Sequence, residues 1–156
     1  MVLTRTARRR LENDIGHDLR TVHIPIGSST NLTGKPKFSG ITIATWNIVD
    51  GRGNRLEMAC NRLQRINIDI AFLTEAKLNE RHATFTYDYN IIATKCSNQH
   101  QGGVALAYRH SRDWHIESPE IFGDNVLKCI FVHERQRTIL VGMDIPPLEE
   151  YMNTIQ

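Results

Sequence analysis

Two polar residues stand where apolar runs stop. Asn47 closes the run that starts at Ile41 in ITIATWNIVD (41–50), and Glu75 closes the run that starts at Ile68 in IDIAFLTEAKL (68–78). A carboxylate at the end of an apolar strand is costly to bury unless it is paired or meets a cation. A hard divalent ion such as Mg²⁺ takes one or two carboxylates, with water and phosphate oxygens completing its shell. Glu75 suits that chemistry. An amide such as Asn47 beside it can orient the carboxylate, a water or a ligand by donating from its NH₂ group, without adding charge. The plain alternative for Glu75 is a solvated residue on the following loop. For Asp50 the plain reading is the stronger one, because Asp before Gly51 is a common turn pair.

These residues can act together only if the chain brings them together. Between the two runs, Leu56, Ala59, Cys60, Leu63 and Ile66 recur at helical spacing, which predicts a helix over 54–67 whose apolar stripe packs on a sheet. Asn54 fits its N-cap and Glu57, three residues later, a capping box, while Arg55, Arg62 and Arg65 take the wet face. The unit reads strand, helix, strand. Such a crossover makes the strands parallel and places their C-terminal ends at one sheet edge, where open α/β sheets bind ligands.

Downstream, 79–84 reads as a loop or helical turn and 87–94 as a strand. Gly102 and Gly103 open a further strand over 104–109, and close strand packing is the reading of that pair. Short strands over 114–117, 126–132 and 138–144 suggest an antiparallel meander stopped by Pro146 and Pro147. The seven histidines lack metal-ligand spacing on a common face and are read as surface or satisfied residues. Trp46 and Trp114 are read as core. Cys60, Cys96 and Cys129 are odd in number and each lies beside apolar residues, which suits reduced core thiols.

With 156 residues, 40% of them apolar and 23% charged, the chain has the length and composition of one soluble globular domain. Net charge is only +2, yet Arg5, Arg8, Arg9, Arg10 and Arg20 crowd the first twenty residues. Residues 1–37 lack a sustained apolar period and are rich in Gly, Ser and Thr, which predicts a basic disordered tail and linker before a domain over 38–156. Arg8, Arg9 and Arg10 are candidates for nuclear targeting or for phosphate contacts with nucleic acid, against the plain reading of a solvated tail. No run approaches membrane-span length and no signal-like apolar stretch is present, so an intracellular protein without a membrane partner is expected, with a nuclear location left open.

The strings WNIVDG, DIAFLTEAKL, GGVALAYR and ILVGMDIPP, in that order over 41–147, resemble the endonuclease/exonuclease/phosphatase superfamily. Its members include pancreatic deoxyribonuclease, abasic-site endonucleases and the endonuclease domains of non-LTR retrotransposons, and the retroelement branch is the most similar. The resemblance implies an α/β (α+β) fold that is part of a four-layer αββα sandwich, a mixed β-sheet with helices on one face. It also implies hydrolysis of nucleic-acid phosphodiesters, DNA preferred, with Mg²⁺ or Mn²⁺ at one rim. In its terms Asn47 matches the first active-site amide and Glu75 the metal-binding glutamate. Asp144 stands at the rim where many members carry an aromatic or another polar residue, and Asp50 is a second rim candidate.

The superfamily's Gly-Asp-x-Asn motif and Ser-Asp-His ending do not occur after Pro147. The expectation is therefore the N-terminal half of such a domain, inactive alone, with five to seven strands, one main helix and one sheet face left bare for a C-terminal half to cover. A non-catalytic nucleic-acid-binding remnant, and a phosphatase of the same superfamily acting on a phosphoinositide or another small phosphoester, remain as alternative functions.

Overall fold

Alternation along three central strands builds two cores on opposite faces of one sheet. In the strand over Pro36–Asn47, Ala44 and Trp46 point to one face, and Ile41 and Ile43 to the other. In Ile70–Thr74, Ala71 and Leu73 oppose Ile70 and Phe72; in Val104–Arg109, Ala105 and Ala107 oppose Val104 and Leu106. A strand buried on both faces needs such a continuous apolar run. The first face carries mostly alanine, which lets a helix sit close.

The computed structural model describes residues 19–30, 36–78, 82–96 and 102–145. In chain order the elements are β1 (Arg20–Thr30), β2 (Pro36–Asn47), α1 (Arg55–Arg65), β3 (Ile70–Thr74), β4 (His82–Thr86), β5 (Tyr89–Ala93), β6 (Val104–Arg109), β7 (Trp114–Phe122), β8 (Val126–His133) and β9 (Gln136–Met143). A six-stranded sheet runs β1-β2-β3-β6-β5-β4, and a three-stranded antiparallel sheet runs β7-β8-β9. Among the described strands only β2 and β3 pair in parallel, so the first sheet is mixed. The parallel pair is the one expected from the strand-helix-strand unit, and it sets Asn47 beside Thr74 in register.

The helix α1 buries Leu56, Ala59, Cys60, Leu63 and, just past its end, Ile66 against Trp46, Leu73, Tyr89 and Ile91. Its stripe is the one the spacing predicts. The capping box is not: Asn54 occupies the N-cap position but makes no side-chain cap bond, its backbone lying near helical values at φ −91° and ψ 4°. A cap side chain folds back on N2 or N3 only from a β-region backbone, so the Asn54 amide cannot reach.

On the other face, Ile41, Ile70, Phe72, Val104 and Leu106 pack against Trp114, Leu127, Cys129 and Phe131 of the second sheet, where Trp114 and Phe131 meet at 5.7 Å in a tilted pair. Helix, six-stranded sheet and three-stranded sheet thus stack as three layers of a mixed α/β structure. This corrects the expectation of a bare face on the first sheet, since the chain supplies its own cover. The bare apolar surface lies one layer further out, where Ile139, Val141 and Met143 of β9 are exposed, alternating with Leu140 and Gly142, which face inward.

Two further expectations are corrected. The tail expected over 1–37 ends earlier, because Arg20–Thr30 pairs antiparallel with β2 as an edge strand, and β2 itself begins at Pro36. Pro25 sits next to a register shift, the device by which an edge strand tolerates proline. The loop expected over 79–84 gives way to β4 from His82, an edge partner of β5. Arg8, Arg9 and Arg10 lie outside the described residues. Cys60, Cys96 and Cys129 are buried and form no disulfide, and burial pushes the Cys60 thiol up to about 12 and the Cys129 thiol up to about 11.

Candidate functional site

The parallel pairing of β2 with β3 brings the two chemistry-bearing side chains into direct contact. Asn47 Nδ2 donates to Glu75 Oε1 at 2.6 Å, while Asn47 Oδ1 accepts the Val49 backbone N–H at 2.8 Å. The second bond fixes which end of the amide faces the carboxylate, because only the NH₂ end can serve Glu75 once the oxygen is engaged. Asn47 is thereby an orienting group. The other carboxylate oxygen of Glu75, Oε2, is paired with Lys77, whose Nζ lies 3.4 Å away.

The loops around this pair are laced to one another by main-chain bonds. Gly51 N–H donates to the Ala76 carbonyl at 2.8 Å, Ala76 N–H to Gly103 at 3.0 Å and Lys77 N–H to Gly102 at 3.1 Å. The glycines are needed there. A Cβ on Gly51 would come within 2.7 Å of the Ala76 oxygen, and one on Gly102, whose φ is +76°, would overlap the Asn125 side chain. This bears out the close-packing reading of the Gly102-Gly103 pair.

Three of the eight non-glycine residues with positive φ among the described residues lie at the same edge. Val49, Glu75 and Lys77 have φ of 63°, 52° and 51°, in the left-handed region that a β-branched residue such as Val49 enters only at a cost of about 1–3 kcal/mol. Strain of this kind persists where surrounding bonds over-determine it, and it clusters at functional sites.

Asp144 and Asp50 part company. The Asp144 carboxylate accepts the Glu75 N–H through Oδ2 at 3.2 Å, across a separation of 69 residues, and its own N–H donates to Asn125 at 2.9 Å. It is a rim residue that ties the second sheet to the loop of Glu75. Asp50 instead caps its own turn: its described contacts are with Arg52, through the backbone N–H, Nε and NH2 at 2.9–3.0 Å, and with Arg55 NH1 at 3.1 Å. The turn reading holds for it. It faces a cavity of about 240 Å³ between β2 and α1, lined by Trp46, Ile48, Asp50, Arg55, Met58, Ala59 and Arg62, and not by Asn47 or Glu75.

The Arg52 guanidinium, and beyond it Arg55, hold the Asp50 carboxyl down to about 2 from its ordinary 3.8. A depressed folded-state pKa contributes stability that is present above the unfolded value and is lost as pH falls through the folded one. Asp50→Asn should therefore lower the melting temperature at pH 7 by the equivalent of about 0.5–1 kcal/mol, the pair being at the surface. The gap to the parent should close as pH is taken from 3.8 towards 2. Melting curves of both proteins over that range check it.

Among the described residues no group of three or more His, Cys, Asp or Glu side chains is placed to hold a metal ion. A site that uses Glu75, with Asp144 beside it, is of the open kind that Mg²⁺ accepts, in which water and phosphate oxygens fill most positions. A carboxylate oxygen oriented by an amide is a donor of the type such an ion takes, and the Lys77 ammonium stands beside the other oxygen. No described helix is long and apolar enough to cross a membrane. Comparison of the chain with protein-family models and with curated proteins gives no match.

Sequence reasoning passed over Lys77 and Asn125. Lys77 could have been found, for it stands two residues past Glu75 in LTEAKL. Asn125, whose Oδ1 accepts the Gly103 N–H at 3.2 Å and whose carbonyl accepts the Asp144 N–H, so clipping the two loops together, carries no local signal, and its part is decided by where β8 begins.

Proposed function

We propose that the chain carries part of a metal-dependent phosphodiester hydrolase site of the endonuclease/exonuclease/phosphatase type, acting on nucleic acid, with DNA as the preferred substrate. The observation that supports it most is the 2.6 Å bond from Asn47 to Glu75 at the C-terminal edge of two parallel strands, with three strained residues around it. The four motifs resembling that superfamily fall on β2, the β3 loop, β6 and β9, all of which border this edge. A four-layer sandwich belongs to the same proposal, with helices laid over the exposed Ile139, Val141 and Met143 as the fourth layer.

Glu75 would hold Mg²⁺ or Mn²⁺, and a bound ion of that kind polarises a phosphoryl oxygen and makes a water more acidic. Asn47 keeps the carboxylate in one rotamer, so its oxygen need not be re-ordered when a cation arrives. Asp144 fixes the Glu75 backbone from the second sheet. Phosphoester hydrolysis also needs a base for the water and donors for the charge that develops on phosphorus. The described residues around Glu75 do not include that set, so the 156-residue chain should bind the ion without turning over substrate.

Mn²⁺ titration followed by electron paramagnetic resonance tests this. The chain should bind Mn²⁺ weakly, and Glu75→Gln should abolish binding while shifting stability by no more than about 0.5 kcal/mol, since the isosteric amide can still accept from Asn47. Equal Mn²⁺ binding by both proteins would refute the assignment of Glu75.

A further inference from the structure

We propose that Lys77 is an internal counter-ion for Glu75, holding the place of a divalent cation and released as a free ammonium when one binds. The inference rests on the reading of Glu75 as a cation ligand and adds a residue which that reading does not need.

The geometry carries it. Glu75 uses Oε1 for the Asn47 amide, and the partner described for Oε2 is Lys77 Nζ at 3.4 Å. Both side chains are substantially covered, Lys77 at 17% and Glu75 at 32% exposure, so the pair is less screened than one fully in water. The segment is shaped to make the contact. Glu75 and Lys77 are both left-handed, with Ala76 buried between them, and a lysine adopts that backbone only where something holds it.

The Lys77 backbone is held by its bond to the Gly102 carbonyl, and Gly103 packs so closely that a Cβ there would come within 3.0 Å of Lys77 N. The backbone therefore stays, and only the four-carbon side chain can swing. A lysine ammonium is a compact point charge on a flexible stem, suited to such an exchange where the rigid fork of arginine is not.

A divalent ion on Oε2 would stand within a few ångströms of the ammonium, and in a half-covered site the repulsion between the two positive charges favours moving the flexible lysine side chain away. Cation entry is thus a displacement. The freed ammonium remains tethered at the same edge, where it can meet the phosphate anion that a cation brings with it. Lys77 lowers cation affinity in the empty site and returns a donor once the site is filled.

Four proteins separate the outcomes: the parent chain, Lys77→Met, Glu75→Gln and the double variant, each titrated with Mn²⁺ alone. Lys77→Met should bind Mn²⁺ about tenfold more tightly than the parent, a gain typical of removing one competing charge. Glu75→Gln and the double variant should not bind. Lys77→Met with parental affinity, alongside loss in Glu75→Gln, would overturn the counter-ion and spare the site; unchanged binding in Glu75→Gln would overturn the site itself. A measurement on the parent guards against a misfolded variant. The Lys77 side-chain Cε–Hε resonances should move when Mg²⁺ is added to the parent chain and stay in place in Glu75→Gln, and resonances in the parent that ignore Mg²⁺ would equally overturn the proposal.

Discussion

Gly142→Ala is expected to destabilise the fold by about 2–3 kcal/mol or more, although adding a methyl group to a strand glycine ordinarily helps. Gly142 lies on β9 with its Cα turned to the first sheet, directly over the Phe72 ring of β3, and an ideal Cβ there would overlap that ring. Both sides are fixed. Phe72 is packed among Ile41, Ile70, Val104 and Leu106, and β9 is registered to β8 from Val126 to His133. Relief must come from separating the two sheets, which opens the whole second core. For a domain of this size a loss of that order lowers the melting temperature by roughly 5–12 °C. A double variant distinguishes overlap from any general effect at the edge strand. Phe72→Ala costs about 3–5 kcal/mol alone, and if the ring is the obstacle the two changes together should cost less than their sum. Additive costs would show that Gly142 answers to something other than Phe72.

Continuing the chain after Gln156 with the C-terminal half of a complete superfamily member is expected to give Mg²⁺-dependent nicking of plasmid or abasic DNA, where the 156 residues alone give none. The proposed site supplies a cation ligand and its orienting amide. The added half would supply the base and the charge-stabilising donors, each worth about a hundredfold or more in rate, so the gain should span several orders of magnitude. Glu75→Gln in the same fusion should remove the activity, because the ion has then lost its carboxylate. Nicking that survives Glu75→Gln, or that needs no divalent ion, would sink the proposed chemistry. The exposed Ile139, Val141 and Met143 add a structural readout: a productive fusion should cover them and suppress binding of a hydrophobic dye.

Local periodicity was enough for the heart of the molecule. The strand-helix-strand unit over β2, α1 and β3 was legible because one apolar stripe recurs at helical spacing between two runs buried on both faces, and a crossover of that length leaves the strands parallel. From that alone Asn47 and Glu75 had to be neighbours, and the structure puts them 2.6 Å apart. The meander of β7, β8 and β9 was legible as three short strands, and its strands pair antiparallel as expected.

The rest depended on groups far apart in the chain. β1 is an edge strand whose Arg20, Thr21 and Val22 face water; its alternating Val22, Ile24 and Ile26 form a short strand signal broken by Pro25 and Gly27, and the backbone ladder of β2 is what recruits it. That the second sheet covers the first was illegible because alternation tells which residues face inward and not which layer they meet; the fit of Gly142 of β9 on the Phe72 ring of β3 is a property of the packed pair of sheets. Asp144 reaches Glu75 across 69 residues by the same packing. A sequence window holds propensity and period, which act within a few residues, so it settled the elements and the edge at which Asn47 and Glu75 meet. The return of Lys77 to Glu75, the clip made by Asn125 and the arrival of Asp144 needed chain ends and sheet faces brought together by burial, and only tertiary structure could decide them.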